Sequence, residues 1–399
     1  MLNHFYSSDI VFIDIDNRYH LQSEHSRLAT NHRTDITRIG EGNMKSEQIF
    51  DVTIVGSGPA GLFSAFYSGL RELKTKIIEF QPFLGGKVNV YPEKMIWDIG
   101  GLMPVPGTQL IEQMVTQGLT FNPEVTLGQK VTSLSKDENG HFILHTSSGQ
   151  KHYSKTVILA VGGGILNPHK LNIENTDQFE ATNLHYTVKS FAHFKGKTVL
   201  ISGGGNAAID WANELEPIAK KVYLTYRKDV LNGHEAEVTR LLNSSVECLF
   251  NTTIEKAIAT ADQERIDKVI LDHGTTGKKI ELTVDEVIVN HGYERDKDLL
   301  ENSELEIAME NEYCVAGNPM GETSIEGLYA AGDILHHQGK LLLIAGAFQD
   351  AANAVNKAKQ YITPDATSWG MVSSHNELFA QKNREIKKHL YTETKKEIV

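Results

Sequence analysis

The chain has 399 residues, of which 40% are hydrophobic and 23% charged, and its formal net charge is −12. This length allows two or three globular domains, and the negative charge argues against broad nucleic-acid binding, which needs a basic surface. Its two cysteines, Cys248 and Cys314, are far apart in sequence, which excludes a disulfide framework and a CxxC pair and fits a reducing cytoplasm. No apolar run reaches the roughly 18 residues that span a membrane, so we expect a cytoplasmic protein.

The first 43 residues are polar and show no periodic pattern. Their aspartates stand where a signal peptide needs a basic start and an apolar core. We predict that residues 1–43 are a disordered or non-native extension, with Met44 as an alternative start.

The stretch "IFDVTIVGSGPAGLFSAFYSGLRELKTKIIEF" is typical of a buried strand, a glycine-rich turn, a helix and a second strand. In the G-x-G-x-x-G fingerprint the first glycine makes the turn, the second lets the backbone approach a pyrophosphate, and the third lets helix pack on strand. The helix N-terminus offers N–H groups to the anion, and the acidic residue ending the second strand can bind ribose hydroxyls. The predicted dinucleotide site comprises Gly56, Gly58, Pro59, Ala60, Gly61 and Glu79.

Three strand-like runs, "KVTSLS", "HFILHT" and "SKTVILAVGGG", follow and predict a three-stranded antiparallel insert. The strand–turn–helix plan then starts again, with Gly203-x-Gly205-x-x-Ala208 as its turn, "KKVYLTYRKD" as its next strand and a second meander after it. Two copies of one plan indicate two dinucleotide sites in one chain.

The residues that end the second strand of each copy differ in charge. Glu79 suits a free ribose hydroxyl, whereas Arg227 and Lys228 suit a 2′-phosphate. The alternative for the basic pair is an ordinary solvated surface.

A last short apolar strand ends at Gly332-Asp333, and a helix rich in small residues follows it. An aspartate at such a strand end can hold a polyol chain, and the helix aims its positive N-terminal dipole at whatever lies above it. For FAD, the dipole would stabilise negative charge on the reduced flavin.

Five stretches, "VTIVGSGPAGLFSAFY", "FLGGKV", "YPEKMIWDIGG", "HYTVKSFAHFKGKTVLISGGGNAAIDWANELEPIAKKV" and "EGLYAAGDILHHQGKLLLIAGAF", together resemble the bacterial ferredoxin (flavodoxin)–NADP reductases of thioredoxin reductase-like type. The resemblance implies an α/β homodimer with two Rossmann-like three-layer (ββα) nucleotide-binding domains, each carrying a small antiparallel meander. It implies a discontinuous FAD-binding domain (residues 44–165 and 290–365), an NADPH-binding domain (166–289) and a C-terminal extension over the flavin (366–399).

The resemblance also implies the roles of particular side chains. Tyr91, from "YPEK", and His375, from "SSHNELF", would stack on the two faces of the flavin. The further cofactor-binding residues are Gly86, Lys87, Val131 and Asp333 for FAD, and Gly203, Gly205, Asn206, Ala207, Arg227 and Lys228 for NADPH.

Several positions depart from related patterns. Thioredoxin reductases carry a redox CxxC where this chain has "YTVK" (residues 186–189), and bacillithiol disulfide reductases carry a cysteine where this chain has Ala60. Both departures indicate that electrons leave directly from the flavin, because no dithiol can relay them. One phosphate-side arginine is missing where Asn232 or a neighbour stands, and Asn206-Ala207-Ala208 replaces aspartate-serine-alanine, so we expect weaker NADPH binding. Asn376 replaces a small hydroxyl residue, so we expect altered chemistry beside the flavin.

The sequence therefore predicts a ferredoxin–NADP(+) reductase that accepts hydride from NADPH on FAD and passes single electrons to ferredoxin or flavodoxin. An acidic carrier would need a local basic face, for which Lys87, Lys387, Lys388, Lys395 and Lys396 are candidates. Two alternatives remain open: an NADPH-dependent disulfide or quinone reductase on the same scaffold, and a flavin- or NADP-binding regulatory protein with little turnover.

Overall fold

The computed structural model describes residues 48–164, 166–370, 372–377 and 379–393. The predicted extension at residues 1–43 and the predicted basic residues Lys395 and Lys396 lie outside this part of the chain. None of the helices in the described part is long and apolar enough to cross a membrane.

The described chain alternates short strands and helices. The strands are β1 (Ile49–Val55), β2 (Thr75–Ile78), β3 (Met95–Ile96), β4 (Val105–Pro106), β5 (Glu124–Thr126), β6 (Val131–Lys136), β7 (Phe142–Thr146), β8 (Lys151–Leu159), β9 (Leu166–Pro168), β10 (Leu184–His185), β11 (Thr198–Ser202), β12 (Lys221–Tyr226), β13 (Glu247–Phe250), β14 (Thr252–Ala259), β15 (Ile266–His273), β16 (Lys279–Thr283), β17 (Glu286–Val289), β18 (Tyr293–Arg295), β19 (Val315–Ala316), β20 (Leu328–Ala330) and β21 (Leu335–His336). The α-helices are α1 (Pro59–Leu70), α2 (Gly107–Gly118), α3 (Asn206–Leu215), α4 (Glu235–Leu242), α5 (Asp298–Glu301), α6 (Ile344–Ile362) and α7 (Phe379–Glu393). Short 3-10 helices cover Gly86–Val90, Asp177–Phe179, Ala192–Phe194, Gly332–Ile334 and Ser373–His375.

The first sheet has seven strands in the order β5-β2-β1-β8-β7-β6, and β20 also pairs with β8. Its central strands are parallel, and their apolar side chains are fully buried, as in Ile54, Ile77 and Ile158. Continuous apolar runs of this kind are typical of parallel strands covered on both faces.

The predicted three-stranded insert is not a separate sheet. β6, β7 and the beginning of β8 do form an antiparallel meander, but β8 continues along β1 as a parallel neighbour from Tyr153 to Leu159. The far edge of β8 is shared, because β7 pairs with its first residues and β20 with its last three. A nine-residue strand can serve both partners, and β20 thereby joins a late segment of the chain to the first sheet.

The second sheet repeats the plan with five parallel strands in the order β10-β17-β11-β12-β13. A separate antiparallel sheet, β14-β15-β16, is the second meander. Helix α3 packs against the five-stranded sheet, where its Ala208, Ile209 and Leu215 share a core with the side chains of β11. The predicted α/β fold with two Rossmann-like units is therefore confirmed.

Helices α1 and α6 pack together on the first sheet and begin at the same edge of it. The buried face of α6 carries Ala347, Ala351, Ala354 and Ala358, spaced by three and four residues, and small side chains at this spacing let two helices approach closely. A Cβ atom on Gly332, at the end of β20, would lie 3.0 Å from the Cβ of Ala60 and 3.8 Å from that of Ala347. The end of β20 therefore lies between the starts of both helices.

Candidate functional site

The first glycine-rich turn has two structural glycines and one that the fold does not require. A Cβ atom on Gly56, whose φ is +100°, would lie 2.5 Å from the carbonyl oxygen of Ala160, and one on Gly61 would lie 2.0 Å from that of Gly56. A Cβ atom on Gly58 would meet only the Cα of Gly86, at 3.8 Å, which is ordinary contact. The space over Gly58 is therefore open, as a bound pyrophosphate requires.

Helix α1 begins at this turn, with Gly58 as its N-cap and Pro59 in its first turn. Gly58 supplies no side-chain cap, and the first N–H groups of a helix have no partner within the helix. These donors and the positive end of the helix dipole suit an anionic group. The residues present thus fit a dinucleotide phosphate.

The Gly86–Val90 segment closes one side of the turn. Gly85 N donates to Ser57 O at 3.0 Å, and a Cβ atom on Gly86, whose φ is +59°, would lie 2.6 Å from the Cα of Gly58. Only glycine allows this approach. Gly86 and exposed Lys87 are thereby brought to the turn, and Tyr91 follows directly as the C-cap of the same segment.

Glu79 follows β2 and is 8% exposed. Its Oε2 accepts hydrogen bonds from Ser57 N at 2.8 Å and Ser57 Oγ at 2.7 Å, and its Oε1 accepts from Gln81 N at 2.8 Å. A carboxylate has about four acceptor positions, so capacity remains for a ribose hydroxyl. Sequence analysis missed Ser57, whose hydroxyl fixes the carboxylate; no local pattern identifies a contact that spans 22 residues.

Tyr91 and Asp333 lie close enough for the charge of Asp333 to affect the pKa of the Tyr91 phenol. Burial raises the pKa of Tyr91, and the negative charges of Asp333 and Asp98 raise it further. Asp333 is exposed and follows Gly332, whose φ is +77°. The phenol of Tyr91 is therefore neutral at physiological pH, and the predicted stacking and polyol-binding residues lie at the same edge.

Val131, predicted to contact FAD, begins β6. Its side chain is 5% exposed and packs in the core with Val55 and Ile78. Any contact between Val131 and a ligand would therefore come from its backbone.

In the second glycine-rich turn, as in the first, the fold requires the first glycine and leaves open space over the second. A Cβ atom on Gly203 would lie 2.5 Å from Asn290 O, whereas one on Gly205 would meet only Asn232 O at 3.9 Å. Ala208 is fully buried in the third position of the motif, and Asn206 and Ala207 are exposed in the first turn of α3. The space over Gly205, like that over Gly58, is open.

Residues of the second glycine-rich turn accept hydrogen bonds from the loop that precedes α4. Asn232 N donates to Gly204 O at 2.7 Å, and His234 N donates to Asn206 Oδ1 at 2.9 Å. The asparagine that replaces an acidic residue at position 206 is thus an acceptor for the loop that begins α4. This cross-contact could not be predicted from the motif alone.

Arg227 and Lys228 are exposed and follow β12 directly. Burial lowers the pKa of His291, and the charges of Arg227 and His169 lower it further. His291 also shares a hydrogen bond of 2.8 Å between its Nε2 and Ser202 Oγ, at the end of β11. The carboxyl edge of the second sheet is therefore basic, in contrast to the acidic end of β2.

Hydrogen bonds and an ion pair connect residues 90–94, which include Tyr91, to the segment around the second sheet. Thr187 Oγ1 donates to Val90 O at 2.5 Å, Phe191 N donates to Glu93 Oε2 at 2.5 Å, and Lys94 forms an ion pair with Asp210 at 2.6 Å. Thr187 stands in the tetrapeptide that replaces a redox CxxC. The position that carries dithiol chemistry elsewhere is a structural tether in this chain.

The two cysteines are free and half-buried. Cys248 lies in β13, and burial raises the pKa of its thiol, which makes it less reactive. The Sγ of Cys314 lies 3.7 Å from Asp333 O, a proximity to the first site that sequence analysis missed.

The C-terminal extension packs against the end of α1 that is remote from the turn. Buried Arg71 donates to Thr367 O at 2.8 Å and to Trp369 O at 3.1 Å. Phe379 packs on Phe66 and Phe121, with ring centroids 6.4 and 5.4 Å apart. His375 lies between these anchors in the 3-10 helix Ser373–His375, and the structure describes only its backbone.

A cluster of His185, His193 and Glu286 has the spacing of metal ligands. Glu286 is fully buried, and its carboxylate already forms ion pairs with Lys197 at 2.6 Å and Arg265 at 3.0 Å. A metal ion would have to compete with both cations, so we assign the cluster a structural role. Burial alone would raise the pKa of Glu286, but hydrogen bonds from His185, Lys197 and His193 lower it to about 2.

Comparison with known proteins identifies the family. Residues 50–358 match the pyridine nucleotide-disulphide oxidoreductase family. A ferredoxin–NADP reductase 1 from Bacillus mycoides is 66% identical over 347 residues, which cover 87% of this chain and 99% of that protein. A ferredoxin–NADP reductase 2 from Exiguobacterium sibiricum is 61% identical over 343 residues, which cover 86% of this chain and 97% of that protein.

Solved structures show the same fold at lower identity. A thioredoxin reductase from Lactococcus lactis superposes with a TM-score of 0.65 at 24% identity, covering 79% of this chain and 99% of that one. A bacillithiol disulfide reductase from Staphylococcus aureus gives a TM-score of 0.60 at 21% identity, covering 80% of this chain and 100% of that one. Sequence, fold and relatives agree: the chain belongs to the pyridine nucleotide-disulphide oxidoreductase family and, within it, to the ferredoxin–NADP reductases.

Proposed function

We propose that this protein is a flavoprotein oxidoreductase that transfers electrons between NADPH and ferredoxin or flavodoxin. The observation that carries the proposal is the pair of glycine-rich turns in one chain, each with open space over its second glycine, Gly58 and Gly205. One turn is followed by an acidic strand end and the other by a basic one. Two dinucleotides of different ribose chemistry fit this arrangement.

The first site would hold FAD. Gly58 and the N-terminus of α1 would bind the pyrophosphate, Glu79 a ribose, Asp333 the polyol chain, and Tyr91 a face of the ring system. When bound, FAD supplies hydride acceptance and single-electron release. The neutral phenol of Tyr91 offers an apolar, uncharged stacking surface, and the start of α6 directs its positive dipole end toward this edge.

The second site would hold NADPH. Gly205 and the N-terminus of α3 would bind its pyrophosphate, while Arg227 and Lys228 would bind the 2′-phosphate. One phosphate-side arginine is missing at Asn232 or a neighbouring position, so we retain the expectation that NADPH binds more weakly than in enzymes with that arginine.

Electrons would leave without a thiol relay. Thr187 and its neighbours provide no sulfur, Cys248 lies in the second sheet with a raised thiol pKa, and the nearest cysteine to the first site, Cys314, has no second cysteine beside it in sequence. Reduction of a disulfide proceeds by attack of a cysteine thiolate, and this chain has neither the dithiol nor the first-turn cysteine that the related disulfide reductases carry. Direct single-electron transfer to a carrier needs none.

We further propose the domain and subunit organisation that the sequence indicated. Residues 44–165 and 290–365 would form the FAD domain, residues 166–289 the NADPH domain and residues 366–399 the extension; the pairing of β20 with β8 supports the discontinuous first domain. The protein would act as a cytoplasmic homodimer.

Because the extension is anchored at the remote end of α1, we propose that His375 covers the flavin of the second subunit. Exposed Lys87, Lys387 and Lys388 remain candidates for carrier docking.

A side-by-side steady-state assay tests the function. Purified protein and NADPH are supplied in turn with ferredoxin, flavodoxin, a quinone and low-molecular-weight disulfides. We expect ferredoxin or flavodoxin to give the highest kcat/KM. Faster reduction of a disulfide or quinone would support the alternative reductase, and flavin bleaching without turnover on any acceptor would support a regulatory protein.

A further inference from the structure

A buried ion pair lies beside the first site, and sequence analysis did not identify it. Lys340 stands in the loop between β21 and α6, and Asp350 stands in α6; their side chains are each 6% exposed and in contact. His337 adds a contact of 3.4 Å between its Nε2 and Asp350 Oδ1. The loop between β21 and α6 therefore places a lysine and a histidine on one carboxylate of α6.

This pair holds both peptide groups of a single glycine. Lys340 Nζ donates to Gly332 O at 2.8 Å, and Gly332 N donates to Asp350 Oδ2 at 3.1 Å. Gly332 has a φ of +77° and lies against Ala60 at the start of α1. The next residue is Asp333, so the ion pair fixes the peptide from which that side chain projects.

Stability alone is a weak reason for such a pair. Removing two charges from water is costly, and an apolar pair of similar volume commonly serves a fold equally well or better. The two charged side chains also hydrogen-bond the backbone of Gly332. These bonds fix the direction of the backbone at the end of β20 that faces the cofactor site.

We propose that Lys340 and Asp350 are positioning residues for flavin binding, which hold the peptide of Gly332 so that Asp333 faces the cofactor. This inference rests on the proposed function, since the cofactor is the FAD of that site.

The test compares Lys340→Met, Asp350→Asn and the double variant with the parent. Each single variant leaves one buried charge unpaired, so we expect both to unfold at lower temperature without FAD and to bind FAD more weakly. The double variant leaves no unpaired charge and keeps an amide acceptor for Gly332 N. We expect its thermal stability without FAD to return toward that of the parent, while its dissociation constant for FAD stays about tenfold or more above the parent value.

A second buried lysine provides the control. Lys76, in β2, has a side chain that is 7% exposed and pairs with Glu124 at 2.8 Å. The double variant Lys76→Met/Glu124→Gln should bind FAD within about twofold of the parent and leave its visible absorbance spectrum unchanged. The Lys340/Asp350 double variant should shift the flavin bands, because Asp333 would no longer hold the polyol chain, and with it the attached ring, in the same position.

Two results would overturn the proposal. If FAD affinity returns together with stability in the Lys340/Asp350 double variant, the pair is structural only. If FAD affinity falls equally in the Lys76/Glu124 control, the loss is a general consequence of removing the ion pair of a buried lysine. A parent protein that binds no FAD, measured by fluorescence titration, would instead overturn the proposed function and this inference with it.

Discussion

Replacing Gly58 with valine separates the needs of the ligand from those of the fold. The backbone at Gly58 has φ −70° and ψ −171°, which any residue can adopt. The nearest protein atom to a new Cβ is Gly86 Cα at 3.8 Å. The added Cβ therefore points into the space expected for the pyrophosphate and makes no close contact with the protein.

The expected magnitudes differ for folding and binding. An apolar residue at an N-cap costs about 1 kcal/mol relative to a good cap, and replacing glycine recovers about 0.4–1 kcal/mol by restricting the unfolded chain. We therefore expect the free energy of unfolding without FAD to change by no more than about 1 kcal/mol. Loss of a single hydrogen bond to a charged phosphate costs about 1.5–3 kcal/mol, which weakens FAD binding about 10- to 150-fold.

The assay measures flavin content and urea-induced unfolding of the purified Gly58→Val variant. We expect a folded, colourless protein. Gly61→Val is the structural contrast, because its Cβ would lie 2.0 Å from Gly56 O, and we expect it not to fold. Gly205→Val is the matched control at the second turn and should retain FAD while losing reduction by NADPH. Full flavin occupancy in folded Gly58→Val would show that the pyrophosphate does not bind over Gly58.

Three further predictions concern charge and sulfur. Arg227→Ala should lower kcat/KM for NADPH by about 10- to 150-fold and leave NADH within about twofold, since only NADPH carries the 2′-phosphate; equal losses would make the arginine structural. Cys248→Ser with Cys314→Ser should leave NADPH-to-ferredoxin electron transfer within about a few-fold of the parent, and a loss of about a hundredfold with flavin still bound would revive the disulfide reaction. Glu286→Gln should lower the free energy of unfolding by about 3 kcal/mol at pH 7, because the folded pKa is about 2 against an ordinary value of 4.5. That contribution is complete above the unfolded pKa and declines as pH falls toward the folded one, so urea titrations should give roughly half the difference at pH 3; an equal difference at both pH values would contradict the assignment.

Local sequence pattern predicted the parts of the site that depend on local geometry. The glycines of both turns, Glu79 at the end of β2 and Arg227 after β12 all follow from strand, turn and helix signals within about 30 residues. The structure joins the first turn to Glu79 through Ser57, whose N–H and hydroxyl both donate to the Glu79 carboxylate. The motif gives the residue types at such a turn, but it does not identify the serine that holds the carboxylate.

Contacts between distant segments could not be predicted in this way. Thr187 reaches Val90 across 97 residues, and Asp350 reaches Gly332 from within a helix whose pattern indicates only an apolar face. The pairing of both β7 and β20 with one edge of β8 could not be predicted either. Each strand alone could pair with several neighbours, and which pairing forms depends on the packing of the whole sheet. These features depend on tertiary packing, which a single sequence does not express as a periodic signal.

Electrons should pass from NADPH through a flavin to a one-electron carrier without any cysteine. Anaerobic stopped-flow absorbance of the Cys248→Ser/Cys314→Ser variant measures this path, by mixing the flavin-loaded protein first with NADPH and then with oxidised ferredoxin or a disulfide. We expect NADPH to bleach the flavin band and ferredoxin to restore it at the parent's rate, while the disulfide does not. Restoration by the disulfide in the parent and its loss in the variant, with ferredoxin inert in both, would contradict this expectation.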